Sequence, residues 1–72
     1  MLTENEKLQA IGRLIAKYRK TRNLTQNQLA EMLDISREHL AKIETAKRGL
    51  SLGLVFEICK TLNIKEKDLF DF

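Results

Sequence analysis

The chain has 72 residues, 43% of them hydrophobic, which allows one domain near the lower size limit for folding without disulfides or metals. Its single cysteine, Cys59, excludes an intramolecular disulfide and any two-cysteine metal site, and its apolar neighbours predict simple packing. No apolar run approaches the roughly 20 residues of a membrane span, and no secretory signal pattern is present, so we expect a soluble intracellular protein.

Charge is distributed unevenly along the chain. The net charge is +3, yet residues 1–55 hold 10 basic and 6 acidic side chains, whereas residues 56–72 hold 3 and 4. A positive field over most of the chain suits a polyanionic partner such as a nucleic acid. Taken alone, this is a weak indication, because lysine and arginine are ordinary residues of protein surfaces.

The first predicted helix begins after Thr3, which forms a capping box with Glu6. Its apolar residues recur at helical spacing and predict one buried face, made of Leu8, Ile11, Ile15 and Tyr18. Gly12 falls within this face. Because a glycine inside a helix costs about 1 kcal/mol relative to alanine, we expect another backbone to pack closely there. Arg19 follows four residues after Ile15, and this spacing also turns it inward.

Four more helices are predicted after the first. Thr25 forms a second capping box with Gln28, and Ser36 and Ser51 are the N-cap residues of the next two helices. With a short last helix, the predicted elements cover residues 26–33, 36–45, 52–62 and 65–70. Between the helices, three residues stand at helix ends that favour a left-handed backbone, which asparagine and aspartate tolerate best after glycine: Asn23, Asp34 and Asn63.

The second and third predicted helices form a corner. At 100° per residue, Leu40 and Ile43 point to one side of the third helix, where they pack against the second helix across the tight turn at Asp34. His39 lies at the edge of the opposite side, which consists of Arg37, Glu38, Ala41, Lys42 and Thr45. We therefore expect a rigid corner whose second helix turns a polar face outward.

Residues 26–45 resemble the helix-turn-helix of the lambdoid phage repressor family, also described as Cro-like or Xre-type. The resemblance is carried by "LTQNQLAEMLDIS", "LAKIE", "KRGLSL" and "LNIKEKDLF", and it extends over roughly residues 8–70. It implies an all-α, five-helix lambda-repressor-like domain over residues 1–72. It also implies double-stranded DNA as the ligand, and transcriptional control by a homodimer bound to a palindromic operator.

The chain departs from the family pattern at a few positions. Asn23, Asp34 and Ala46 stand where glycine is frequent, and Leu50 stands where proline is frequent. Asn23 and Asp34 are conservative replacements because asparagine and aspartate tolerate the same left-handed backbone as glycine. Ala46 is not, so the sequence does not define how the third helix ends.

The predicted recognition helix, residues 36–45, supplies the candidates for base contacts. Arg37 can donate two hydrogen bonds to guanine, Glu38 can accept one from cytosine, and Lys42 can contact guanine or a phosphate. The alternative for the last two is an ion pair on a solvated helix face. Contacts to the phosphate backbone are expected from Gln26 and the loop after the helix. The full set of candidates is Gln26, Ser36, Arg37, Glu38, His39, Lys42, Lys47 and Arg48.

The resemblance also accounts for Arg19 and Glu44, which the family pairs in a largely buried salt bridge. Removing one partner of such a bridge costs about 3–5 kcal/mol. We expect this bridge to fix the angle of the recognition helix, and a surface arginine is the alternative.

Apolar residues near the carboxyl end predict a dimer interface. The segment "DLFDF" carries more apolar surface than one small domain readily covers. Together with residues before it, the predicted interface consists of Phe56, Ile64, Leu69, Phe70 and Phe72. The alternative is that these residues only close the core.

Nothing in the sequence predicts an enzyme. It has no glycine-rich phosphate loop, and its one histidine and one cysteine lie on different predicted helices, so we expect no cofactor and no metal. The leading hypothesis is a small stand-alone repressor or autoregulator in the cytoplasm of a prokaryotic cell or phage-infected host, associated with the nucleoid. "SREHLAKIETAKRGLSL" resembles restriction–modification controllers more than phage-type repressors. The alternative is an antitoxin or a protein-interaction module whose main partner is a protein.

Overall fold

The computed structural model describes residues 1–71. Within this range the chain forms five helices and no strand. They are α1 (Glu4–Thr21), α2 (Gln26–Met32), α3 (Arg37–Glu44), α4 (Leu52–Leu62) and α5 (Glu66–Leu69). The predicted all-helical class and the order of the helices are confirmed, and the predicted bounds agree closely with those observed. No helix in the described part of the chain has the length and hydrophobicity needed to cross a membrane.

Side-chain caps start the first four helices where the sequence predicts them. The Thr3 hydroxyl accepts a hydrogen bond from the Glu6 backbone N–H at 3.1 Å, and the Glu6 carboxylate accepts one from the Thr3 N–H at 3.0 Å. The backbone N–H of Thr3, and after it the Thr3 hydroxyl, lower the pKa of Glu6 because hydrogen bonds to its carboxylate stabilise the ionised form. The predicted capping box at Thr25 is likewise complete. Single hydroxyl caps begin the two helices that follow, at Ser36 and Ser51.

The core lies where α1 packs against α3, α4 and α5, with α2 packed on α3. Its fully buried large side chains are Ile15, Leu29, Leu40, Ile43, Ile58, Leu62 and Leu69. Leu8 and Tyr18, predicted for the inner face of α1, are only half-buried. Cys59 is buried among these residues, and its pKa is raised, first by desolvation and then by the nearby carboxylates of Glu66 and Asp68. The predicted packing role of this cysteine is therefore confirmed.

Gly12 is the point of closest approach between α1 and α3. A Cβ atom at this position would lie 2.6 Å from the carbonyl oxygens of both Ile43 and Glu44. No side chain fits at such distances, so the glycine lets the last turn of α3 rest directly on the α1 backbone. The close backbone contact predicted from the sequence is confirmed.

Left-handed residues end several helices. Asn23, Asp34 and Asn63 have φ values of 57°, 57° and 55°, as predicted. Ala46 has a φ of 60°, so an alanine occupies a conformation that costs an ordinary L-residue roughly 1–2 kcal/mol. The Ala46 N–H donates to the Ile43 carbonyl and the Lys47 N–H to the Lys42 carbonyl, a Schellman pattern that ends α3 sharply.

Candidate nucleic-acid interface

The corner between α2 and α3 is fixed by packing and by its turn. Leu29 and Ala30 of α2 and Leu40 of α3 are buried in the core. The Ile35 N–H donates to the Ala30 carbonyl at 3.0 Å, across the left-handed residue Asp34. Ala30 has an exposed fraction of only 2%, and its small side chain lets α2 and α3 pack closely at this turn. The rigid corner expected from the sequence is present.

The outer face of α3 is polar. Arg37, Glu38 and Lys42 are exposed and line a shallow groove of about 340 Å³, together with Ala41, Thr45 and Lys47. Glu38 and Lys42 form no ion pair in the part of the chain that the structure describes. These side chains are therefore available to a ligand, and one short helix carries all of their hydrogen-bond donors and acceptors.

The first turn of α3 holds two further candidates. The Ser36 hydroxyl accepts a hydrogen bond from the His39 N–H at 3.0 Å, so its own O–H remains able to donate outward. The His39 side chain is half-buried at the edge of the polar face. It has no metal-binding neighbours, since residues 1–71 contain no cluster of three or more His, Cys, Asp or Glu side chains suited to a metal ion.

A buried ion pair joins the end of α1 to the end of α3. Arg19 Nε donates to Glu44 Oε2 at 2.8 Å and Arg19 Nη2 donates to Glu44 Oε1 at 3.1 Å. The third guanidinium nitrogen, Nη1, donates to the carbonyl of Leu24 at 2.9 Å. The side chains of Arg19 and Glu44 are 9% and 5% exposed. The bidentate geometry thus ties α1, the loop before α2 and the last turn of α3 together.

Gln26 adds a second brace to the same carboxylate. Its Nε2 donates to Glu44 Oε1 at 2.9 Å, which connects the first residue of α2 to the recognition helix. Glu44 therefore accepts three hydrogen bonds from two different helices. The orientation of α3 is held by directional contacts as well as by apolar packing.

The loop after α3 places two basic residues beside the polar face. Lys47 and Arg48 are exposed, and the Lys47 backbone is bonded to Lys42 through the helix-ending pattern at Ala46. The loop thus starts from a fixed position against α3, and its charges adjoin the outer face of the helix.

Basic residues on α1 were missed by the sequence reasoning. Arg13, Lys17 and Lys20 are exposed and line a groove of about 630 Å³ that also includes Gln26 and Thr45. The signal was present in their spacing of four and three residues, which puts them on one helix face. Only the tertiary structure places that face next to the end of α3.

The predicted dimer residues divide between surface and core. Phe56 and Phe70 are 50% and 45% exposed, and Ile64 is half-buried. The prediction for Leu69 is corrected, because this residue is fully buried against the core and has no surface to offer a partner. Phe72 lies outside the described residues. Leu52, which the prediction did not include, is 66% exposed one helical turn before Phe56.

Five helices, a tight α2–α3 corner and an outward polar face on α3 define a helix-turn-helix protein of the DNA-binding class. The helix-turn-helix family matches residues 15–69, most of the chain. The chain belongs to this family, in its Xre-type branch, whose members are DNA-binding regulators of transcription.

Several named proteins are similar to this chain. An uncharacterized HTH-type transcriptional regulator of Methanocaldococcus jannaschii is 43% identical over 74% of this chain and 80% of its own length. The control protein C.BamHI of Bacillus amyloliquefaciens is 38% identical over 69% of this chain and 62% of its own. The antitoxin PezA of Streptococcus pneumoniae is 36% identical over 82% of this chain, although only 37% of the antitoxin is covered.

The fold has a counterpart among solved structures. The restriction-modification controller protein C.AhdI of Aeromonas hydrophila superposes with a TM-score of 0.83. The superposition covers 88% of this chain and 96% of the controller, at 25% sequence identity. The lambda-repressor-like, five-helix architecture inferred from the sequence is therefore confirmed at the level of the fold.

Proposed function

We propose that the protein is a sequence-specific transcriptional regulator that inserts α3 into the major groove of double-stranded DNA. The observation that carries this proposal is the outer face of α3, where exposed polar side chains stand on a helix whose last turn is fixed against α1. Its inner face is fixed by the Arg19–Glu44 ion pair and by Gly12. Such a face has the hydrogen-bonding groups that base edges require.

Each polar residue of α3 has a role that its chemistry supports. Arg37 lies in the first turn and donates two hydrogen bonds to the O6 and N7 atoms of a guanine. Glu38 accepts from a cytosine amino group, and Lys42 contacts guanine or a phosphate one turn later. Ser36 and His39, at the entrance of the helix, add contacts at its edge. These assignments are supported by the exposure of Arg37, Glu38 and Lys42 and by their common groove.

Backbone contacts come from residues on either side of the recognition helix. Lys47 and Arg48 supply positive charge from the loop after α3, and Gln26 contacts a phosphate while it braces Glu44. Contacts of this kind position a protein on the duplex without reading its sequence. They also release counterions, so binding must weaken steeply as salt rises.

The protein is proposed to act as a homodimer on a palindromic operator, as a small repressor that also regulates its own synthesis. Support comes from the exposed aromatic side chains Phe56 and Phe70 and from the similarity to two proteins named as controllers. In a two-fold dimer, the two recognition helices meet half-sites about 34 Å apart, one turn of DNA.

Selection of bound duplexes from random DNA tests this function. We expect a two-fold motif to be enriched. Arg37→Ala should weaken binding by about 1–3 kcal/mol and relax the base preference at one position in each half-site. Lys67→Ala, on α5, is the control because it also removes one exposed cation but lies outside the proposed interface. Enrichment of no duplex at low ionic strength would contradict the proposal.

The similarity to the antitoxin PezA supports a second candidate, in which the main partner is a protein. The two functions differ in their response to salt. An apolar protein interface hardly weakens between about 50 and about 200 mM salt, whereas a DNA complex with several phosphate contacts loses orders of magnitude in affinity.

A further inference from the structure

We propose that a basic stripe on α1, formed by Arg13, Lys17 and Lys20, binds the phosphate backbone of DNA beside the groove that α3 enters. This inference rests on the proposed function and extends its interface to a helix outside the helix-turn-helix. It assigns a binding role to three cations that the proposed function leaves without one.

The stripe is a concentration of like charge that other side chains leave unneutralised. Its members are exposed, and none of them forms an ion pair with any residue in the range 1–71. The nearest carboxylate along the groove, Glu44, is already engaged by Arg19 and Gln26. Cations spaced three and four residues apart on one helix face repel each other, so an anionic ligand would relieve that repulsion.

The stripe is continuous with the proposed reading face. Thr45 lines the groove of the basic stripe and also lines the groove along the outer face of α3. The two surfaces therefore meet at the carboxyl end of the recognition helix. A helix of eight residues is about 12 Å long, comparable to the width of the major groove. Residues at its end accordingly lie close to a sugar-phosphate strand when the helix occupies the groove.

The chemistry of the stripe favours phosphate over a protein surface. Protein–protein interfaces are depleted of lysine and enriched in aromatic anchors. Three long cationic side chains line the groove together with Ala16, Thr21, Gln26, Glu44 and Thr45, and none of these described lining residues is aromatic. The Lys17 ammonium lies 6.0 Å from the centre of the Tyr18 ring on the same helix, a distance that leaves its charge available.

The salt dependence of DNA binding tests the stripe. The probe is the duplex that the wild-type protein selects, and its affinity is measured at several salt concentrations. The test variant is Arg13→Gln, Lys17→Gln and Lys20→Gln combined. The control combines Lys60→Gln, Lys65→Gln and Lys67→Gln, which removes the same charge from α4, α5 and the residue before α5. Both variants are checked by thermal melting.

We expect the stripe variant to lose about 0.9 from the slope of log affinity against log salt for each phosphate contact removed, or up to about 2.7. The fall in affinity between about 50 and about 200 mM salt should then shrink by up to roughly fortyfold, while the preferred base sequence stays the same. The control should retain nearly the full slope.

Two failures can be told apart. If the wild-type protein selects no duplex, the proposed function itself is wrong. If it selects one and the stripe variant has the slope and affinity of the control, the stripe does not contact phosphate and the inference is overturned. The second result would include the case in which the stripe serves an acidic protein instead.

Discussion

The two halves of the molecule hold their helices by different means. Between residues 4 and 46, α3 is fixed on α1 by a buried ion pair and by a direct backbone contact at Gly12. Between residues 51 and 71, α4 and α5 are held by apolar side chains such as Ile58 and Leu69, and Arg22 donates from the end of α1 to the carbonyls at the end of α4. Hydrogen bonds weaken steeply when their atoms move, whereas hydrophobic burial has no preferred direction. The half that carries the proposed reading face thus differs in having a buried bidentate ion pair and a direct backbone contact, which specify geometry.

Arg19→Ala should have the largest effect, because among residues 1–71 it leaves Gln26 as the only side-chain donor to the buried carboxylate of Glu44. We expect the free energy of unfolding to fall by about 3–5 kcal/mol, measured by urea denaturation. A variant that melted at nearly the wild-type temperature would show that the ion pair is not an essential part of this half.

A charge-free double variant, Arg19→Met with Glu44→Leu, sharpens the same comparison. Replacing both partners of a buried pair with apolar residues is often neutral for stability, so unfolding should change far less than in the single variant. DNA affinity should still fall, because Gln26 loses its acceptor and α3 loses the contacts that set its angle. Equal affinity in this variant and the wild type would mean that apolar packing alone can orient α3.

Gly12→Ala should destabilise the protein by about 1–3 kcal/mol, since the new methyl group would force α1 and α3 apart. The matched change Gly53→Ala has open space around it and should raise stability slightly, as expected for alanine in a helix. Both are measured by the same denaturation experiment. If the two variants had similar unfolding free energies, the backbone contact at Gly12 would not be one of the contacts that hold α3.

Phe56→Glu tests the half that contains α4 and α5. It changes an exposed side chain of the proposed dimer interface rather than a core contact. We expect self-association to weaken at least about tenfold, or about 1.4 kcal/mol, measured by sedimentation equilibrium. Met32→Glu is the control, because Met32 is 57% exposed on α2 and loses a similar apolar surface for the same charge. A wild-type protein that stays monomeric at high micromolar concentration would remove the dimer proposal.

The sequence was sufficient for most of the fold because its signals are local. Capping residues at Thr3, Thr25, Ser36 and Ser51 predicted where four helices begin, and these positions are confirmed. The contact at Gly12 was also predictable, since an unfavourable residue inside a helix needs a compensating reason. Local chemistry acts within a few residues, and such features can be inferred without knowledge of the tertiary structure.

The remainder depended on information that is not local. The sequence places Leu69 in the predicted dimer interface or in the core, and the structure shows the core position; the sequence leaves both open because α5 has only four residues and one turn has no periodicity to separate inner from outer positions. The basic face at Arg13, Lys17 and Lys20 was overlooked because charged helix faces are common. The sequence does not show that this face lies beside the end of α3, because that proximity depends on how α1 packs in the tertiary structure.

The smallest expected effect lies at the junction between the two halves, where Ala46 has a φ of 60°. Ala46→Gly should raise the free energy of unfolding by about 1 kcal/mol, because glycine adopts this conformation without strain and the gain exceeds its greater freedom when unfolded. Ala41→Gly, within α3, should lower stability by about the same amount. Opposite signs for one chemical change in neighbouring turns would identify backbone conformation as the cause. If both variants were destabilised, the strain at the exit of α3 would be absent, and the Lys47–Lys42 hydrogen bond alone would account for the sharp end of the helix.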